Sequence, residues 1–274
     1  MTILLQRFWH TNVVRESEQF IIAKTTYMDN WEEKAAVLKV QVNSFKIEEA
    51  WLERLGRPGG SSESRQYIKN LNGIEAYLGS GPKLREALNE VSNESERALF
   101  NHSVTGIVQA ETFLFKERGY DNASQYSEAW EKFFAGSCNY YSNLERAHNS
   151  WKDYIGTMDR KTNLFDRCQS QYLIQDEDSY LLYGSLIDSF HQVNTTLKLN
   201  NEMKIISAQG QLLRGPDALC REATMHMKNI LGQSLPGKTK KEIAITLGAG
   251  QGCVHLIDLT YESVKTLELY NSQK

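Results

Sequence analysis

Two long stretches of the chain alternate apolar and polar residues with a period of two and then change to a helical period. The first, FIIAKTTYMDNWEEKAAVLKVQVNSFKIEEAWLERLGRP, ends at Pro58, and the second, YLLYGSLIDSFHQVNTTLKLNNEMKIISAQGQLLRGP, ends at Pro216. Lys46-Ile47 aligns with Lys204-Ile205, Ala50 with Ala208 and Pro58 with Pro216, at a constant offset of 158 residues. Val40, Val42, Phe45 and Ile47 in one stretch, and Leu197, Leu199, Met203 and Ile205 in the other, mark half-buried strands meeting at turns. Asn200-Asn201 suits a tight turn because Asn tolerates positive φ, and the polar QDEDS between 172–174 and 180–182 reads as a further hairpin.

After each proline the spacing becomes helical. Leu219, Ala223, Met227, Ile230 and Leu231 form one stripe, with Gly232 placed as a C-cap and Pro236 barring continuation. Thr239 and Glu242 fit a capping box, and a third helix starting near Gly252 carries Val254, Ile257, Tyr261 and Val264 on one face. The first copy answers with helices over 67–78, from Pro82 through Ala87, and over 96–115. Between the copies, Trp130, Phe133, Phe134, Tyr141, Leu144, Trp151 and Tyr154 fall at helical spacings, broken near Gly136, and read as packing core.

The expected architecture is therefore α+β: two pseudo-symmetric domains, each a small antiparallel sheet of three or four strands followed by three helices. The boundaries are 1–115, an aromatic helical linker over 116–164, and 165–274, so that the chain is an internal pseudo-dimer. Its 274 residues, 41% hydrophobic and 24% charged with four prolines, fit a globular protein. A net charge of -3 gives no field that recruits nucleic acid. No apolar run approaches the ~18 residues of a membrane helix, and Gln6, Arg7 and His10 interrupt the opening MTILL, so a cytoplasmic protein is expected.

Cys138, Cys168, Cys220 and Cys253 are scattered without a CxxC pair, which leaves free thiols or metal ligands rather than a disulfide scaffold. LCREATMHMKNILG and GCVHLIDLTYESVKTL, with NLFDR at 163–167 and SFHQ at 189–192, resemble an uncharacterised bacterial domain-of-unknown-function family over about 165–270. More distantly, each half is similar to iron–sulfur scaffold domains of the NifU/IscU type, which hold a cluster or zinc on three cysteines. Carried over, that resemblance places Cys220 at the second ligand, Cys253 at the third, and His191 where the first cysteine stands. It departs from the pattern at Gly252, where the scaffolds have a histidine, and His255 and Asp258 are further candidate ligands. Ser62, Phe100 and His102 fall near the places of Cys220, Cys253 and His255 in the first half, which confines any metal to the second.

A thiol at a helix start feels unpaired N–H groups and the positive end of the macrodipole, which favours thiolate, although a free cysteine equally serves as apolar filler. The glycines of GAGQGC lack the strand of a dinucleotide fingerprint and read as a helix–helix turn, and Lys238, Lys240 and Lys241 as a solvated helix start. The leading expectation is a non-enzymatic accessory protein binding zinc or an iron–sulfur species through His191, Cys220 and Cys253, with other proteins as partners. Two alternatives stand beside it: an interaction module using the cleft between the halves, and a thiol enzyme with Cys253 as nucleophile and His255 as base.

Overall fold

The computed structural model describes residues 1–56, 63–91 and 93–273. Among these residues nine strands carry the fold: β1 Thr2–Arg15, β2 Phe20–Asp29, β3 Glu33–Gln41, β4 Ile47–Arg54, β5 Ser64–Tyr67, β6 Asn163–Asp176, β7 Ser179–Asp188, β8 Gln192–Asn200 and β9 Ile205–Arg214. They form one sheet in the order β5-β4-β3-β2-β1-β6-β7-β8-β9. The two separate small sheets expected from the sequence, each with its own three helices in a pseudo-symmetric domain, are not what forms. The reason lies in β1 and β6, two 14-residue strands that neighbour each other at the middle of the order. On β1 the inward positions are Leu5, Arg7, Trp9, Thr11 and Val13, so two polar residues interrupt the apolar half of the alternation and conceal its period.

Among the described residues eight α-helices accompany the sheet: α1 Gly81–Ala87, α2 Glu94–Ala110, α3 Ala123–Phe134, α4 Asn139–Ser142, α5 Trp151–Ile155, α6 Leu219–Glu222, α7 Lys240–Thr246 and α8 Val254–Ser272. The helix expected over 67–78 is replaced by the end of β5, a 3-10 turn over Lys69–Leu71 and a bend at Gly73, where φ is +79°. Leu219, Ala223, Met227 and Ile230 of the expected stripe are buried while Leu231 is exposed, and only the first turn is α-helical, Ala223–Ile230 being 3-10. Thr239 and Glu242 form the capping box: Glu242 N–H donates to Thr239 Oγ1 at 3.3 Å and Thr239 N–H to Glu242 Oε2 at 2.8 Å. In the aromatic segment Trp130 stacks on the buried Trp151 at 5.6 Å, which is the packing role read from its spacing. Pro58 and Ser62 lie outside the described residues.

Contacts divide the chain into two compact units, one of Met1–Arg7, Ser127–Gly156 and Gln169–Lys274, and the other of Phe8–Tyr126 and Thr157–Cys168. In the first, termed the C-terminal unit, α8 lies on β7 and β8 and buries Leu256, Ile257, Val264 and Leu267 with Leu182, Val193 and Leu197. Full burial of each such side chain contributes about 1.5–3 kcal/mol. In the second, the N-terminal unit, α2 lies on β2 and β3. Local geometry recurs in the two units: Tyr27 pairs with Lys34 as Leu186 pairs with Val193, the bridge Lys46 to Glu75 matches Lys204 to Ser234, and Phe45 and Met203 both have positive φ. Among the described residues, no helix is long and apolar enough to cross a membrane.

Candidate metal centre

The tight turn between β7 and β8 sets the first half of the site. Asp188 Oδ1 accepts the backbone N–H groups of Phe190 at 2.8 Å and His191 at 2.6 Å, while Asp188 N–H donates to His191 O at 2.9 Å. This is the local side-chain-to-backbone bonding for which Asp is favoured in turns. Arg214, the last residue of β9, ties the turn down from outside, donating to Ser189 O at 2.8 Å and to His191 O at 3.2 Å. The imidazole of His191 is consequently fixed, 13% exposed, with Nδ1 3.2 Å from Asp188 Oδ1. An imidazole held by a carboxylate on one nitrogen presents the other as a ligand.

The start of α8 supplies the second half. Gly248, Gly250 and Gly252 build the approach to it: Gly248 has φ +92°, and a β-carbon at Gly252 would meet Leu247 O at 2.0 Å. Cys253 is the N-cap of α8, in extended backbone conformation. His255, in the first turn, brings its ring to 4.2 Å from that of His191, and its Nδ1 lies 4.0 Å from Cys253 Sγ. Donor atoms of Asp188, His191 and His255 all fall within 4.8 Å of one another. The capping position thus places Cys253 beside His255 although the two are only two residues apart.

The remaining candidates are placed differently. Asp258 pairs with Lys240 Nζ at 2.7 Å. Cys220 sits in α6 against Gly215, and among the described residues no cluster of three donors at that spacing includes Cys220 or Cys253, although Cys253 Sγ lies 4.0 Å from His255 Nδ1. Asn139, next to Cys138, donates to Gly252 O at 2.8 Å and through Nδ2 to Leu219 O at 2.7 Å, so three thiols flank one asparagine. Their acidity differs from what a helix start alone implies. Burial outweighs the N–H groups and pushes both Cys220 and Cys253 from the usual 9.0 up to about 12. Phe100 and His102 lie inside α2, with His102 beside Trp9 at 6.5 Å, and it is Asn93, the cap of α2, that stands where Cys253 caps α8. Asp188 was not singled out from the sequence, yet it carried a signal: an Asp three residues before a His, between two alternating strands.

Residues 155–268 match the family model described as a protein of unknown function, DUF2889. The match contains Asp188, His191, Arg214, Cys220, Cys253 and His255. No curated protein and no solved structure matches the chain.

Proposed function

We propose that the C-terminal unit is a non-enzymatic metal-binding module that holds one borderline divalent ion of the zinc type. His191, His255 and Cys253 are its ligands, and Asp188 either orients His191 or completes the set. The observation that carries this reading is the convergence of two imidazoles and a carboxylate within 4.8 Å, with a thiol 4.0 Å from one of the rings. Ligand atoms around tetrahedral zinc lie about 3.3 Å apart, so the donors of Asp188, His191 and His255 need to close by up to about 1.5 Å. Nitrogen with sulfur selects zinc over magnesium or calcium, which prefer all-oxygen shells. One thiol beside two imidazoles suits a single ion better than an iron–sulfur cluster, which calls for three or four cysteines or their equivalents. The thiol protonated at neutral pH argues against Cys253 as a resting nucleophile, whereas a bound cation deprotonates it outright.

The recurrent local geometry further supports reading the N-terminal half as a related copy without ligands, since Glu32 and Ser95 stand where His191 and His255 do. Metal analysis of the anaerobically purified protein tests the proposal. About one equivalent of zinc is expected, lost in His191→Ala and His255→Ala and retained in Cys220→Ser. Protein that stays metal-free after reconstitution with zinc overturns it.

A further inference from the structure

We propose that the ion is a structural cross-link between the β7–β8 turn and the first turn of α8, in the place where the N-terminal unit uses the ammonium of Lys34. This rests on the metal-binding reading above and assigns the ion a role. The β2–β3 turn is built like the β7–β8 turn: Asp29 Oδ1 accepts the N–H groups of Trp31 at 2.7 Å and Glu32 at 2.9 Å, and Asp29 N–H donates to Glu32 O at 3.0 Å. Glu32 therefore occupies the turn position of His191. At the helix start, Asn93 is the N-cap of α2, accepting Ser95 N–H at 2.8 Å, and Cys253 is the N-cap of α8, so Ser95, two residues after its cap, occupies the position of His255.

Between these two positions lies Lys34, 1% exposed. Its Nζ is 2.6 Å from Glu32 Oε1 and 2.7 Å from Ser95 Oγ, and it sits over the ring of Tyr27 at 5.3 Å. A buried ammonium is tolerated only when it is paired and hydrogen-bonded, and here it joins the turn to the helix. On β8 the place of Lys34, second in its strand, belongs to Val193, which is aliphatic and fully buried. The C-terminal unit has thus lost its resident cation at the corner where the Glu and Ser partners have become two imidazoles and a thiol. A cation near a helix N-terminus opposes the macrodipole and needs anionic company: Glu32 supplies it in one unit, and the Cys253 thiolate with Asp188 in the other. The exchange is of one bound cation for another.

The test uses the full chain loaded with zinc. Stripping the zinc with a chelator is expected to lower Tm by about 5 °C or more, and restoring zinc to recover it. A Tm that does not move when bound zinc is quantitatively removed overturns the structural role and leaves metal binding standing. Failure to take up zinc at all instead overturns the reading on which this rests. The triple variant His191→Glu, Val193→Lys, His255→Ser, which copies the N-terminal corner, is expected to bind no zinc and to show a Tm indifferent to chelator. If that variant folds and its Tm still falls on chelation, the equivalence is wrong. The reciprocal Glu32→His, Lys34→Val, Ser95→His is expected to take up a second equivalent of zinc, and no gain in a folded reciprocal variant also counts against the equivalence.

Discussion

Gln171 occupies the space that a β-carbon on Gly184 would need. Such an atom would lie 2.7 Å from Gln171 Nε2 and 2.6 Å from Thr195 Oγ1. The amide earns its place by joining sheet to helix, since Nε2 donates to Leu259 O at 2.9 Å and Oε1 accepts from Ser263 Oγ at 3.1 Å. Gly184→Ala is accordingly expected to destabilise by about 1–3 kcal/mol, as overpacking of a filled core does. In the N-terminal unit the same sheet-to-helix contact is made by shorter groups, Thr11 Oγ1 to Thr25 Oγ1 at 3.0 Å and Thr25 Oγ1 to Ser103 Oγ at 2.8 Å. Adding Gln171→Thr to Gly184→Thr should therefore recover part of the loss caused by Gly184→Thr alone, measured as the coupling in a double-mutant cycle by urea denaturation.

Thr195, across from Gly184, has a buried Oγ1 without a hydrogen-bond partner among the described residues. Replacing a desolvated, unbonded hydroxyl by a methyl of the same shape removes a penalty and no bond. Thr195→Val is expected to leave stability unchanged or raise it by up to about 1 kcal/mol, against the usual loss for a buried substitution. A loss above about 1 kcal/mol would show that the hydroxyl is bonded in solution.

Arg7 gives β1 its buried cation, donating to Thr266 Oγ1 at 3.0 Å and to Glu262 Oε2 at 3.2 Å. Burial raises the Glu262 carboxyl above its usual 4.5 even with Arg7 beside it. A carboxyl whose folded pKa lies above its unfolded one contributes stability that is complete below pH 4.5 and declines as pH rises through the folded pKa. Arg7→Ala removes the counter-charge and steepens that decline. The variant should be about 3 kcal/mol less stable than the parent at pH 8, with the gap narrowing toward pH 5, whereas Arg7→Ala with Glu262→Gln should be nearly flat over that range. Denaturation midpoints at the two pH values decide it.

The thiols separate by environment. Cys168 is exposed, while Cys220 and Cys253 are pushed up to about 12 by burial. In zinc-free protein at pH 7.5, Cys168 should be alkylated first by iodoacetamide, and Cys253 should react at least about tenfold more slowly than in the denatured chain. Because its folded pKa exceeds the unfolded 9.0, the buried thiol costs nothing below pH 9 and costs progressively more between pH 9 and 12. Cys253→Ser should flatten the alkaline fall in stability across that window.

Much of the local structure was legible because the residues that decide it act at short range. The Thr239–Glu242 box and the strand alternation after Tyr180 each follow from neighbours within a few positions, and the aromatic packing about Trp151 from the helical spacing of its partners. The arrangement of strands was not legible, because it turns on β1, where Arg7 and Thr11 point inward. The partners of Arg7, Glu262 and Thr266, are far along the chain, and that of Thr11, Thr25, is on the next strand. At the site, His191 and Cys253 were visible as ligand types at a strand end and a helix start. That His255 rather than Cys220 adjoins them depends on Cys253 being the N-cap, which fixes the direction of the next side chain. Asp188 went unremarked because a carboxylate that folds back onto its own turn has no periodicity.

Arg214 touches no candidate ligand atom, yet it grips three carbonyls of the turn that presents His191, those of Asp188, Ser189 and His191. Removing it leaves the turn to Asp188 Oδ1, the Asp188 N–H to His191 O bond and the Tyr154 hydroxyl on Phe190 O, so the imidazole gains freedom that must be lost again on binding. Groups that position a metal ligand typically change affinity by about 10–100-fold when deleted. Arg214→Ala is expected to raise the Kd for zinc by about tenfold while the stoichiometry stays at one. Arg214→Lys keeps the charge but not the fork that reaches several carbonyls, and should behave like the alanine variant. Competition titration against a chromogenic chelator measures both. If Arg214→Lys binds as the parent does, the charge and not the geometry of the clamp matters, and if neither variant weakens binding, the turn is set without Arg214.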